Sequence, residues 1–153
     1  MEADTNFHFN YDINVKGLCI NIKHYMRLTQ RRNYHKCSTD TNSYLNIMTA
    51  IATLFNRKVK LIDRKRENYI ELGYEIRTNK NNSNKVVIAY FSKYQLFSSK
   101  YLNYKNWVQV HNLIMSKEYK TISGSEKIKV LKANHNTNRT TWSWNHLEKF
   151  YTE

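Results

Sequence analysis

The sequence predicts an α+β fold: a four-stranded antiparallel sheet in ββαββ order, with helices packed on one face and a helical C-terminal region. Three observations carry this reading. Residues 16–31, KGLCINIKHYMRLTQR, place Leu18, Ile20, Ile22, Met26 and Leu28 on alternate positions, the period of a strand with one buried face. Residues 57–66 and 69–77 repeat that two-residue period. From Lys85 onward the apolar residues recur three and four apart instead, the period of helices.

In chain order, Phe7, Phe9 and Tyr11 alternate with His8 and Asn10 as a first strand, residues 12–17 make a turn, and 16–31 completes a hairpin. His24 interrupts the apolar side of that second strand and reads as a core or rim histidine with a partner in preference to a ligand. Residues 31–42 are polar, hold the basic pair Arg31 and Arg32, and read as a loop. Ser43 is a candidate cap for a helix whose Leu45, Met48, Ala52 and Phe55 recur at helical spacing, with Asn46 and Thr49 turned outward. In the third strand Lys58, Lys60, Arg64 and Arg66 oppose Val59 and Leu61; in the fourth, Ile70, Leu72, Tyr74 and Ile76 face inward and Glu71, Gly73, Glu75 and Arg77 outward. Glu71 and Glu75 are expected to pair with Lys60 and Arg64 across this hairpin, worth a few tenths to about 1 kcal/mol each.

Residues 79–84 read as a turn, followed by a helix through Val86, Val87, Tyr90 and Phe91. A second helix, 100–117, carries Leu102, Trp107, Val110, Leu113 and Ile114 on its apolar face; a third, 123–134, buries Ile128 and Leu131 and leaves Lys127, Lys129 and Lys132 outside. Trp107 belongs to the core, whereas Trp142 and Trp144 follow no period and are expected to dock on another surface.

Composition narrows the function. The chain of 153 residues has 25 Lys and Arg against 12 Asp and Glu, a formal charge of +13, so self-repulsion calls for a polyanionic partner, with nucleic acid the leading candidate. Tyr and Trp are interleaved with the cations, as in proteins that stack on bases. Cys19 and Cys37 have no CxxC or histidine spacing around them, so neither zinc nor a disulfide framework is indicated. No apolar run approaches the roughly 18 residues of a membrane span. The abundance of Asn, Lys, Ile and Tyr with no proline is a set favoured by AT-rich codons and hints at an organellar or otherwise AT-rich genome. The candidate nucleic-acid-binding residues are those opposite the apolar face: Asn21, Lys23, Tyr25, Arg27, Thr29, Arg31 and Arg32 from the long strand and the loop after it, and Lys58, Lys60, Arg64, Arg66 and Arg77 from the later pair.

Residues 90–114, YFSKYQLFSSKYLNYKNWVQVHNLI, closely resemble the segment near the end of a LAGLIDADG homing endonuclease domain, where a helix ending in an FxKYPL-like turn precedes SSKYLNYxxW and a further helix. The order of the remaining elements is similar to the C-terminal half-domain of single-chain, mitochondrial intron-encoded members. The resemblance implies a LAGLIDADG endonuclease-like domain over residues 1–139, truncated by the lack of its first helix, and a C-terminal extension over 140–153. In the family that helix packs two half-domains together and presents an acidic residue to a divalent metal. Glu2, Ala3 and Asp4 align with its acidic end, and Thr5 stands where its glycine belongs. Asp4 is therefore a vestigial acid, with no catalytic residue and no metal site assigned.

These readings combine into an expectation: a noncatalytic, RNA-binding protein derived from a degenerate homing endonuclease. It would be a structural component of the mitochondrial ribosome or another ribonucleoprotein of the matrix, bound to rRNA, touching neighbouring proteins through Trp142 and Trp144, and needing no cofactor and no membrane. Two alternatives stay open. One is a LAGLIDADG DNA endonuclease subunit that pairs with another half and cuts with Mg²⁺ at Asp4; the other is a group I intron maturase.

Overall fold

In the computed structural model, residues 4–33 and 44–151 are described. Strands β1 (Thr5–Ile13), β2 (Cys19–Arg31), β3 (Lys60–Lys65) and β4 (Ile70–Thr78) form one sheet in the order β1-β2-β4-β3. Four helices accompany them: α1 (Leu45–Leu54), α2 (Asn81–Lys93), α3 (Lys100–Met115) and α4 (Ile122–Ala133). The α+β class and the ββαββ order are those the periodicity predicts. Residues group into two compact units, Met1–Asn6 with Tyr25–Tyr90, and Phe7–His24 with Phe91–Glu153. The Ser43 cap and residues 34–42 of the expected loop lie outside the described residues.

In the first unit, β4 pairs antiparallel with β2, from Met26↔Thr78 to Arg31↔Gly73, and with β3, from Lys60↔Glu75 to Lys65↔Ile70. Helix α1 lays Met48 and Ala52 on Leu28, Tyr74 and Ile76, with Leu45, Ile51 and Val59 at the margin. Met48, Leu28 and Ile76 each contribute about 1.5–3 kcal/mol on burial. A ten-residue helix spans only about 15 Å, and the apolar face of the sheet outruns it. Leu61, Ile70 and Leu72, expected inward, are 66%, 58% and 44% exposed. Helix α2 begins at Asn81, inside the stretch expected to be a turn. The N–H groups of a first helical turn have no intrahelical partner, so asparagine's weak interior propensity costs little there.

In the second unit, Asn14 Oδ1 accepts from the N–H groups of Lys16 and Leu18 at 3.0 Å each and closes the turn after β1, with Gly17 at φ 76°. The β2 alternation changes phase at its start. Cys19 is buried and Ile20 is 55% exposed, the reverse of expectation: Cys19 packs with Phe9, Val110, Leu113 and Ile128, and its N–H donates to Ser125 Oγ of α4 at 2.9 Å. Phe9, Cys19, Val110, Leu113 and Ile128 form the core. Phe7 gathers the rings of Phe91, Tyr104 and Trp107 at 5.3–5.6 Å. His24 is the core histidine the sequence predicts: its ring stacks on Trp107 at 4.2 Å and its Nε2–H donates to the Trp107 carbonyl at 2.9 Å. Lys132, expected outside, turns back to donate to the Phe9 carbonyl at 2.8 Å. Thr121 caps α4 by accepting from the Gly124 N–H at 3.0 Å.

Candidate nucleic-acid interface

Directly opposed residues of antiparallel strands share a face. The register therefore sets Arg27 beside Arg77, Thr29 beside Glu75, and Arg31 beside Gly73, while β3 adds Lys60 opposite Glu75, Ile62 opposite Gly73 and Arg64 opposite Glu71. This is the face turned away from Leu28, Tyr74 and Ile76, the residues under α1. Three strands thus bring Arg27, Thr29, Arg31, Lys60, Arg64 and Arg77 together. Tyr25 lies at the same parity of β2, and the Arg77 guanidinium sits 4.6 Å above its ring.

The two acids on this face take other partners than the sequence suggested. Register does place Lys60 across from Glu75 and Arg64 across from Glu71. The ion pairs, however, run from Arg77 to Glu75 at 3.1 Å and from Arg66 and Arg31 to Glu71 at 2.7 and 3.9 Å. Hydrogen bonding from Arg66 holds the Glu71 carboxyl below its usual range, against the opposing pull of desolvation. Arg66 is raised by the same bond. Glu71 and Glu75 thus engage Arg31, Arg66 and Arg77 while leaving Lys60 and Arg64 outside these pairs.

Arg32 does not join the group. Its guanidinium closes on Asp63 at 2.8 Å, a residue at the opposite parity of β3 from Lys60 and Arg64. Lys58 precedes β3 and is exposed. In the second unit, Lys23 is exposed on β2, and Asn21 donates through Nδ2 to Asp12 Oδ2 at 3.0 Å.

A polar cleft of about 330 Å³ opens on the cationic face, lined by Asp4, Thr29, Gln30, Arg31, Ile62, Arg64, Glu71 and Gly73. Gly73 leaves the cleft its room: a Cβ there would lie 3.1 Å from Ile62 Cγ1 and 3.2 Å from the Gln30 carbonyl oxygen, and those neighbours would have to give way by a few tenths of an ångström. Asp4 is held at the rim, its carbonyl accepting from the Thr29 N–H at 3.4 Å. Gln30, Ile62 and Gly73 were not among the sequence candidates, and only the three-strand register brings them to one cleft. Asp4 and Glu71 are its two carboxylates, and no cluster of three or more His, Cys, Asp or Glu suited to a metal occurs among the described residues. Mg²⁺ is commonly held by one or two carboxylates together with substrate phosphates. Asp4 fits as one such donor, with further oxygens coming from beyond these residues.

Residues 1–111 match the LAGLIDADG endonuclease family. Over 165 aligned positions the chain is 34% identical to the intron-encoded DNA endonuclease aI3 of Saccharomyces cerevisiae, the match covering 99% of this chain and 40% of that protein. Among solved structures, the fold is similar to the homing endonuclease I-TnaI, with a TM-score of 0.64, 18% identity, and coverage of 98% of this chain and 89% of that one. It is also similar to the LAGLIDADG homing endonuclease I-LtrWI bound to target DNA, with a TM-score of 0.65, 21% identity, and coverage of 97% and 45%. The chain therefore spans well under half the length of its curated yeast relative. These findings overturn the expectation of a nonenzymatic, RNA-binding ribosomal component: the yeast relative is named as a DNA endonuclease, and one fold neighbour lies on target DNA. With the family matched over more than two-thirds of its residues, the chain belongs to the LAGLIDADG endonuclease family.

Proposed function

We propose that this chain is one DNA-binding half of a LAGLIDADG DNA endonuclease, acting with a second half supplied by another polypeptide segment or chain. The observation that carries the reading is the register that gathers Arg27, Arg31, Lys60, Arg64 and Arg77 from three strands onto one face, with Asp4 in the cleft on that same face. Cations spread across a sheet at strand spacing suit the phosphates of a duplex, and Tyr25 and Thr29 between them suit sugar and base edges. Asp4 is the residue that would hold Mg²⁺, which in phosphodiester cleavage activates the nucleophile and stabilises the leaving oxygen. The other residues would orient the strand: Arg31 and Arg64 line the same cleft as Asp4 and would hold a phosphate against it. An organellar origin agrees with the AT-codon-favoured composition, and the mitochondrial matrix is the site of action proposed with it.

The test combines binding and cleavage of duplex DNA carrying the intron insertion site, with the partner half present. Asp4→Asn is expected to abolish cleavage and leave binding within about threefold. For six to ten phosphate contacts, affinity is expected to fall by about three to five powers of ten between 50 and 200 mM salt. Full cleavage by Asp4→Asn, or an affinity indifferent to salt, refutes the assignment.

A further inference from the structure

The C-terminal end of the second unit builds a surface that the sheet face does not account for. Residues Asn145–Phe150 form a 3-10 turn anchored by Gln95, whose Nε2 donates to the His146 carbonyl at 2.8 Å. The His146 ring stacks on Tyr101 at 4.0 Å and 12°, Trp144 stacks on His146 at 6.1 Å and 29°, and Phe150 leans on Phe97 at 5.1 Å. Neither His146 ring nitrogen has a hydrogen-bond partner among the described residues. The ring is therefore held by stacking and by its backbone. At the outer end Trp144, Phe97 and Phe150 remain 50%, 55% and 50% exposed.

Charge identifies what such a surface fits. Residues 93–106 and 134–151 contain five cations, Lys93, Lys100, Lys105, Arg139 and Lys149, against one acid, Glu148. Lys105 lies 6.0 Å from the Tyr101 ring, Lys149 5.1 Å from Phe150 and Lys93 5.4 Å from Tyr94. None of these three lysines forms an ion pair among the described residues. Cores of protein interfaces are enriched in aromatic residues but depleted of lysine. Sites for unpaired nucleic acid combine open aromatic faces with lysine and arginine, the rings taking bases and the cations the backbone.

We propose that the exposed rings of Trp144, Phe97 and Phe150, with Trp144 backed by the stacked His146 and Tyr101, form a stacking platform for the unpaired bases of a single DNA strand, its phosphates neutralised by Lys105 and Lys149. The ligand is a flexible, unpaired DNA strand with exposed bases, the kind of strand a DNA-binding chain meets when a duplex opens.

The experiment uses the full chain, fluorescein-labelled oligo-dT and oligo-rU of about a dozen nucleotides, and unlabelled duplex DNA in excess to occupy the sheet. Trp144→Ala is expected to weaken oligonucleotide binding about tenfold while changing duplex affinity less than twofold, and Trp144→Phe to restore most of the loss. Oligo-dT is expected to bind more tightly than oligo-rU, and the reverse order overturns the assignment to a DNA strand. Should Trp144→Ala lose its native circular dichroism, Lys105→Glu tests the same surface, with the same selective loss expected. Unchanged oligonucleotide affinity, or parallel loss of duplex and oligonucleotide binding, overturns the proposal. So does shielding of Trp144 from acrylamide that rises with protein concentration and not with either oligomer, which assigns the patch to a protein contact. Because the duplex is measured separately, failure of this platform and failure of the proposed DNA-binding face give different results.

Discussion

Lowering the pH should unlock the second unit through two buried histidines. His24 is displaced to a pKa of about 3, chiefly by burial, the hydrogen bond to the Trp107 carbonyl opposing and the charges of His111 and His135 adding to the fall. His135 is displaced to about 4, again chiefly by burial, its bond to the Phe7 carbonyl opposing and Lys132, Arg139 and His8 adding. Both folded values lie below the ordinary 6.5, so the unfolded chain binds more protons at mildly acid pH. The stability they contribute is complete above about 6.5 and is lost as pH falls toward 3–4. At pH 5 each ring favours unfolding by about 2 kcal/mol relative to neutrality, about 4 kcal/mol together. That is a large share of a typical total of about 5–15 kcal/mol. Urea unfolding followed by the fluorescence of buried Trp107 and by circular dichroism, at pH 7 and pH 5, measures it. His24→Gln is expected to lower stability at pH 7 but to cut the pH-dependent loss by about half. A difference under about 1 kcal/mol between the two pH values, or an undiminished difference in the His24→Gln, His135→Gln double variant, refutes the reasoning.

Two further outcomes test the packing and the charge arrangement. In Gly124→Ala the new Cβ would stand 2.0 Å from the Glu118 carbonyl oxygen. The α4 start must shift, and thermal denaturation should show a loss of about 2–3 kcal/mol; a midpoint within a degree of the parent contradicts the close approach. Glu71→Gln releases Arg66 and Arg31 from their carboxylate, and because such exposed pairs are weak it should leave the melting temperature nearly unchanged. Duplex DNA should bind more tightly and with a steeper salt dependence, by about one additional phosphate contact. Weaker binding in fluorescence anisotropy would mean that Glu71 orients those arginines for DNA instead of competing with it.

Local period and composition were enough for the strands and helices, the excess of cations and the family-like segment at residues 90–114. Phe7, Phe9, Met26 and Leu28 are buried as a two-residue period requires, Met48 and Ala52 as a helical one requires, and Trp107 is at 0% exposure. Those signals depend on neighbours a few positions away. Tertiary structure alone decided where a period loses its meaning: Cys19 packs inward with Phe9, Val110, Leu113 and Ile128 while Ser125, 106 residues away, accepts its N–H, and Ile70 and Leu72 stay in solvent, outside the cluster that α1 covers. The site divides in the same way. Alternation put Arg27, Lys60, Arg64 and Arg77 on outward faces. Which strands lie side by side, that Glu71 answers Arg66 and Arg31 and not Arg64, and that Asp4, Gln30 and Gly73 meet in one cleft followed from register and side-chain reach. Sequence spacing holds no record of those long-range distances, since they are set by how the packed core positions one strand against another.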